Sequence, residues 1–120
     1  LMKYAIKITD TAKGHLRDIA VYIAEQSKEK EVAKKFVGEL VAECDMLETF
    51  PNGGANPDDR LLVSMGYKFL IHKDFLLFYT VDETACAVYV QAIFNAKKDY
   101  TRYMRKLIPR GGNSKTENKR

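Results

Sequence analysis

Basic side chains and a tyrosine follow the last apolar run of the chain at helical spacing. Lysine and arginine can neutralise phosphate, and a tyrosine can stack on a base or take part in proton transfer. In the alternative interpretation, an apolar stripe of Tyr103, Met104 and Leu107 docks on the domain and the cations are only solvated. The residues that would do the chemistry are Lys97, Lys98, Tyr100, Arg102, Arg105 and Lys106.

A second group of cations lies earlier, where Arg60, Lys68, His72 and Lys73 could form one patch. Metal-free RNA cleavage needs a group that deprotonates the 2′-hydroxyl, cations that stabilise the phosphorane, and an acid for the leaving oxygen. Beside Lys73, His72 is more typical of a hairpin tip than of a catalytic base. The sequence has no phosphate-binding glycine loop, nucleophile motif or metal-ligand spacing, so we expect no cofactor and no metal.

The charge is unevenly distributed. Residues 95–120 contain nine Lys/Arg and two Asp/Glu, whereas residues 1–94 contain eleven and fourteen. Such a split usually marks a surface that meets an acidic partner. RNA, DNA or an acidic protein segment are therefore the partners to consider.

With 120 residues, of which 46% are hydrophobic, the chain suits one compact domain. We expect a single domain over residues 1–108 and a basic flexible tail over residues 109–120. No run is long and apolar enough for a membrane helix, and charged residues interrupt the start, so we expect a cytoplasmic protein. Cys44 and Cys86 lie within helical and strand patterns and not in a CxxC or Cys/His cluster, so we expect buried, reduced thiols.

The first half predicts a strand and two helices. Residues 4–8 alternate as a strand does, and Thr9 or Asp10 can cap the helix that follows. Apolar residues then recur with helical periodicity on both sides of a polar break at residues 26–29, and the second helix must end before Pro51. The short connection predicts an antiparallel helix hairpin.

The second half predicts a sheet after a loop at residues 52–59. Four strands are expected, and short breaks between them favour an antiparallel meander. Residues 75–79 are apolar on both faces, which is typical of a central strand. The predicted strands are Leu61 to Ser64, Tyr67 to His72, Phe75 to Asp82 and Cys86 to Phe94.

Together these elements predict a two-layer α+β domain of five strands with the helix hairpin on one face of the sheet. Strict alternation directs one set of side chains to the helices: Tyr67, Phe69, Ile71, Val88, Val90 and Phe94. It directs another set to a bare opposite face, the expected working surface: Lys68, His72, Tyr89, Gln91 and Asn95.

The order of elements, with the local sequences Gly66-Tyr67-Lys68, Leu77-Phe78-Tyr79-Thr80-Val81-Asp82 and Ile93 to Tyr100, resembles the RelE/ParE superfamily. Its members are toxins of bacterial type II toxin–antitoxin modules, often called plasmid stabilisation proteins. The resemblance covers residues 3–107 and implies an α+β RelE/ParE-like fold: an N-terminal strand and antiparallel helix hairpin on a mainly antiparallel sheet, and a C-terminal helix.

The resemblance implies neutralisation by a cognate antitoxin, with a homodimer as an open alternative. RelE-like members are metal-independent endoribonucleases that cleave mRNA at the ribosome, whereas ParE-like members inhibit DNA gyrase. The resemblance to RelE-like members implies Lys68, Lys97 and Tyr100 as catalytic residues. The expected nucleic-acid contacts are Arg60, Lys73, Lys98, Arg102 and Arg105. Asn95 stands where many relatives have histidine, so three functions remain open: mRNA cleavage, gyrase inhibition, or antitoxin binding without toxicity. The basic end of the chain favours mRNA cleavage.

Overall fold

The fold was analysed in a computed structural model that describes residues 3–108. A strand, β1 (Ala5–Ile8), precedes the helices α1 (Asp10–Ser27) and α2 (Lys30–Glu43) and a 3-10 segment (Cys44–Glu48). A short helix, α3 (Arg60–Ser64), leads to β2 (Lys68–His72), β3 (Phe75–Asp82) and β4 (Ala87–Asn95), and α4 (Tyr100–Lys106) follows the sheet. The predicted tail, residues 109–120, lies outside the described residues.

The strands form one sheet in the order β1-β4-β3-β2. β1 runs parallel to β4, and the other neighbours are antiparallel. The central position of β3 confirms the expectation from its doubly apolar sequence. The α+β fold with a helix hairpin is confirmed, but in the described chain the sheet has four strands and not five.

The predicted strand at Leu61 to Ser64 is wrong, because these residues form α3. The Asp59 side chain accepts a hydrogen bond of 3.0 Å from the backbone N–H of Leu62 and thereby caps the helix. Leu62 is fully buried. Four residues with three apolar side chains fit a buried strand or a helical turn equally well, and the cap decided between them.

The helix hairpin covers one face of the sheet. Thr9 caps α1 by accepting from the N–H of Ala12 at 3.1 Å, and Lys28 ends α1 with a left-handed φ of 62°. Burial of apolar residues from both helices against the sheet holds this layer in place. Its core contains Leu16, Leu40, Leu47, Leu70, Leu77, Tyr79, Val88, Val90 and Ile93.

The predicted alternation of β2 and β4 is partly wrong. In β2, Leu70 faces the hairpin, which places Lys68 and His72 on that face too. Tyr67 and Phe69 pack on the opposite face, and Ile71 is exposed. Because apolar residues pack on both faces of the sheet, the apolar pattern of β2 does not show which of its side chains face the helix hairpin.

A bulge at Gln91 changes the alternation within β4, because Phe78 pairs with Ala92 while Tyr79 pairs with Val90. Val88 and Val90 face the hairpin, as predicted. Beyond the bulge Phe94 packs on the opposite face, contrary to the prediction. Asn95 pairs with Phe75 on the hairpin side, although we expected it on the other face. Tyr89 and Gln91 do lie on that opposite face.

The second face of the sheet is not bare. Leu62 of α3 and Met104 of α4 are fully buried against Phe78 and Ala92. The expectation of an open working surface is therefore wrong. This face carries more apolar than polar side chains, and α3 and α4 shield the apolar ones from water. Among residues 3–108, no helix is long and apolar enough to cross a membrane.

Candidate functional site

The helix α4 is attached to the sheet by apolar and ionic contacts. The Tyr100 ring lies 5.1 Å from that of Phe78, centroid to centroid, and Met104 is fully buried below the helix. Arg105 donates to one carboxylate oxygen of Asp59 from Nε at 3.2 Å and from Nη2 at 2.8 Å. Asp59 thus caps α3 and binds α4 at the same time.

These contacts also affect the titration of Asp59. The backbone N–H of Leu62 lowers the pKa of the Asp59 carboxyl, and the Arg105 guanidinium lowers it further, while desolvation opposes both. The carboxylate form is therefore favoured in the folded protein. Arg105, predicted to contact nucleic acid, is held in this ion pair.

Exposed cations lie on α4 and in the turn before it, and we call this set the basic edge: Lys97, Lys98, Arg102 and Lys106. The ammonium groups of Lys98 and Lys106 lie 5.2 Å and 5.6 Å from the centroid of the Tyr103 ring. Such cation–π contacts orient the ammonium groups without neutralising them. Tyr103, which the sequence suggested only as an apolar residue, therefore organises this surface.

Lys68 is separated from the other two predicted catalytic residues, Lys97 and Tyr100, which lie at or just before the start of α4. Lys68 pairs with Tyr79, whereas Asn95, just before Lys97, pairs with Phe75. These two positions on β3 are four residues apart, or about 13 Å along the strand. Lys68 and Tyr100 also lie on opposite faces of the sheet, and the Lys68 ammonium donates to the side-chain oxygen of Asn56 at 2.9 Å.

The other predicted residues of the β2–β3 hairpin are bound to α2. His72 lies 3.0 Å from a carboxylate oxygen of Glu43 through Nδ1 and 3.4 Å from Glu39 through Nε2. Lys73 Nζ is 3.6 Å from Glu39. These contacts attach the β2–β3 hairpin to α2. Arg60, at the start of α3, is exposed.

Two further groups have little capacity for chemistry. Burial raises the pKa of the Cys44 thiol to about 11, so it is protonated and unreactive near neutral pH. Burial lowers the pKa of His15, whose Nδ1 accepts a hydrogen bond of 3.1 Å from the N–H of Ile93. Within residues 3–108 there is no group of three His, Cys, Asp or Glu side chains that could hold a metal ion.

Comparison with solved structures supports the fold. The chain is similar to a chromosomal ParDE toxin–antitoxin protein of P. aeruginosa, with a TM-score of 0.66, 20% identity, and coverage of 79% of this chain and 98% of that one. It is also similar to a protein of the RelBE2 toxin–antitoxin complex of Mycobacterium tuberculosis, with a TM-score of 0.54, 16% identity, and coverage of 81% and 97%.

Sequence comparison gives the family. No curated protein matches the chain significantly. The family model described as the ParE toxin of the type II toxin–antitoxin system parDE matches residues 6–100. This match spans every element from β1 to the start of α4. The chain therefore belongs to the ParE toxin family of type II toxin–antitoxin systems.

Proposed function

We propose that this chain is the toxin of a type II module, that a cognate antitoxin neutralises it, and that its target is DNA gyrase and not messenger RNA. Family membership supports the toxin function, and it also supports the choice of target, since ParE-like toxins are gyrase inhibitors. The name of the P. aeruginosa relative, a ParDE system, supports an antitoxin as partner.

The separation of the candidate catalytic residues is the observation that favours gyrase. Cleavage of RNA requires a base, an acid and a cation around one phosphate, each within hydrogen-bond reach. Lys68 pairs with Tyr79 and lies on the hairpin face of the sheet, whereas Tyr100 packs on Phe78 on the opposite face. This separation supports the proposal that Lys68, Lys97 and Tyr100 do not act together on one phosphate.

The basic edge is the surface that we assign to target binding. Its cations are exposed, and those of Lys98 and Lys106 are held on Tyr103 without a neutralising carboxylate among their described contacts. An exposed patch of one sign attracts an acidic protein surface and accelerates association. A protein that inhibits an enzyme by binding to it needs no catalytic residues of its own. The basic edge can therefore serve in inhibition without them.

Two assays of the purified chain test the proposal. We expect inhibition of supercoiling by DNA gyrase and no ribosome-dependent mRNA cleavage. Lys98→Glu with Arg102→Glu should weaken the inhibition at least about tenfold, because reversed charges repel an acidic surface. Lys35→Glu, a charge reversal at another exposed lysine, on α2, is the control and should inhibit as the unmodified chain does.

Two results would contradict the proposal. Cleavage at the ribosome that is abolished by Lys97→Ala with Tyr100→Phe would establish an endoribonuclease; the phenylalanine keeps the ring contact with Phe78, so folding is preserved. Failure of the unmodified chain to arrest growth when induced without antitoxin would indicate a member that has kept antitoxin binding alone.

A further inference from the structure

The part of β4 that extends beyond β1 is covered along its edge by the first turns of α1. Ile8, the last residue of β1, pairs with Val90, so in the described chain the following residues of β4 have no strand neighbour on that side. There the backbone N–H of Ile93 donates to Nδ1 of His15 at 3.1 Å. A buried N–H without an acceptor is costly, and His15 supplies the acceptor that a further strand would have provided.

His15 also lies next to the basic edge. Its ring is 5.0 Å from the ring of Phe94, and the Phe94 ring is 5.6 Å from that of Tyr103, centroid to centroid. The Tyr103 ring in turn holds the Lys98 ammonium group 5.2 Å from its centroid. A row of three rings therefore connects α1 to the basic edge around the edge of β4. His15 is only partly buried, so part of its ring is accessible to solvent.

Three influences set the charge state of His15. Desolvation lowers the pKa of the imidazole most, the Asp18 carboxylate on the same helix raises it, and the Lys98 ammonium lowers it further. The ring is therefore mainly neutral near pH 7. Its proton is on Nε2, because Nδ1 accepts the hydrogen bond from Ile93.

Binding at Lys98 and protonation of His15 affect one another, because coupling between two sites is reciprocal. A carboxylate bound beside Lys98 offsets the repulsion between the ammonium group and an imidazolium, and it attracts the imidazolium directly. Protonation of Nδ1 breaks the hydrogen bond to Ile93 with or without that carboxylate, so this cost does not change the difference between the two states. The bound carboxylate therefore favours protonation, and protonation favours binding.

We propose that the target-binding surface continues from the basic edge over Tyr103 to His15 on α1, and that it binds an acidic protein segment more tightly when His15 is protonated. This inference rests on the proposed function, since it takes the basic edge as the target contact. The affinity is lowest where His15 is neutral. It rises as pH falls through the pKa of His15 in the complex, and it is constant below the pKa of His15 in the free chain.

The titration of the two histidines of the sequence provides the first test. NMR spectra of the full chain would follow His15 and His72 with and without a synthetic peptide that alternates aspartate with serine. The peptide should raise the titration midpoint of His15 and leave that of His72, on the far edge strand β2, unchanged. A matched peptide with lysine in place of aspartate should move neither. An unchanged midpoint for His15, or equal shifts of both histidines, would overturn the coupling.

A charge removal tests the role of Lys98. Lys98→Gln should raise the titration midpoint of His15 in the free chain, because it removes the repulsion, and should weaken binding of the aspartate peptide. Lys35→Gln removes another exposed lysine, on α2, and should change neither quantity. The same midpoint for His15 in both variants would show that His15 does not sense the basic edge.

The affinity for the aspartate peptide measures the same coupling from the other side. It should be at least about threefold higher at about pH 5.5 than at about pH 7.5, values on the two sides of the ordinary histidine pKa and above that of aspartate. His15→Asn cannot titrate, but its side-chain oxygen can still accept the N–H of Ile93, so its affinity should be the same at both pH values. A pH dependence that His15→Asn retains would overturn the assignment to His15. Thermal unfolding at about pH 7.5 checks that this variant folds, and the histidine titration of the unmodified chain decides the matter if it does not.

Direct binding to purified gyrase distinguishes this inference from the proposed function. Gyrase has titratable groups of its own, so the measure is the ratio between the affinities of the unmodified chain and of His15→Asn at each pH. This ratio should rise as pH falls, and an equal ratio at both pH values would reject a role of His15 at the target. Absence of gyrase binding at either pH would instead reject gyrase as the target. The peptide titrations would then still show whether His15 is coupled to the basic edge.

Discussion

Tyr79 fixes the loop before β2 through a single hydroxyl. It is buried in the core beneath the hairpin, and its oxygen accepts a hydrogen bond of 2.9 Å from the backbone N–H of Gly54. A Cβ on Gly54 would lie 2.7 Å from this hydroxyl and from the carbonyl oxygen of Phe69, so only glycine allows the approach. Ala55 can then pair with Phe69 at the edge of β2.

We predict that Tyr79→Phe lowers the free energy of unfolding by about 1–3 kcal/mol, because the Gly54 N–H loses its acceptor. Urea denaturation measures the change. Tyr22→Phe is the control, since the Tyr22 side chain is 60% exposed and its replacement should have little effect. Equal stabilities of the two variants would show that water satisfies the Gly54 N–H.

Asp59 gives a pH dependence whose sign follows from its lowered pKa. A carboxyl whose pKa is lower in the folded state stabilises the fold above its unfolded value of about 4. That stabilisation is lost as pH falls from there through the folded-state pKa. Asp59→Asn, which can still cap α3, should therefore flatten the decline in stability over this acidic range.

Unfolding in urea at about pH 6 and at successive values below about pH 4 measures this effect. Asp58→Asn is the neighbouring control, because Asp58 is exposed and makes no described ion pair. A decline that is equally steep in Asp59→Asn and in the unmodified chain would show that the Asp59 contacts with Leu62 and Arg105 do not contribute.

At the scale of elements, α4 depends on tertiary contacts. It has seven residues, too few for a stable isolated helix in water. Met104 is fully buried between α4 and the sheet, and Tyr100 packs on Phe78. Of the predicted apolar stripe, Met104 docks on the domain, whereas Tyr103 and Leu107 are 43% and 37% exposed. The other side of α4 presents the basic edge.

Met104→Ala should lower the free energy of unfolding by about 2–5 kcal/mol, the usual range for a buried methionine reduced to alanine. Leu107→Ala, at the end of the same helix, removes a side chain that is 37% exposed and should cost clearly less. Chemical denaturation of both variants provides the comparison. A small effect of Met104→Ala would mean that α4 contributes little to the stability of the domain.

The whole molecule has helices on both faces of its sheet, with the α1–α2 hairpin on one face and α3 and α4 on the other. The basic edge therefore lies on the layer opposite the helix hairpin.

The sequence by itself determined the elements with strong local signals. The helix hairpin follows from apolar periodicity and the Thr9 cap, and the central place of β3 follows from its doubly apolar run. The superfamily was also evident, because it depends on the order and spacing of these elements. The basic end of the chain was evident from its content of lysine and arginine.

Only the tertiary structure decided which side chains meet. The bulge at Gln91 moved Phe94 and Asn95 to the opposite faces, and no local pattern marks it. The Asp59 cap and the docking of Leu62 turned an apolar run into α3. The separation of Lys68 from Tyr100 depends on strand register and on the cover provided by α3 and α4. Each of these contacts joins residues that are far apart in the sequence, so a short stretch of sequence contains only one of the two partners.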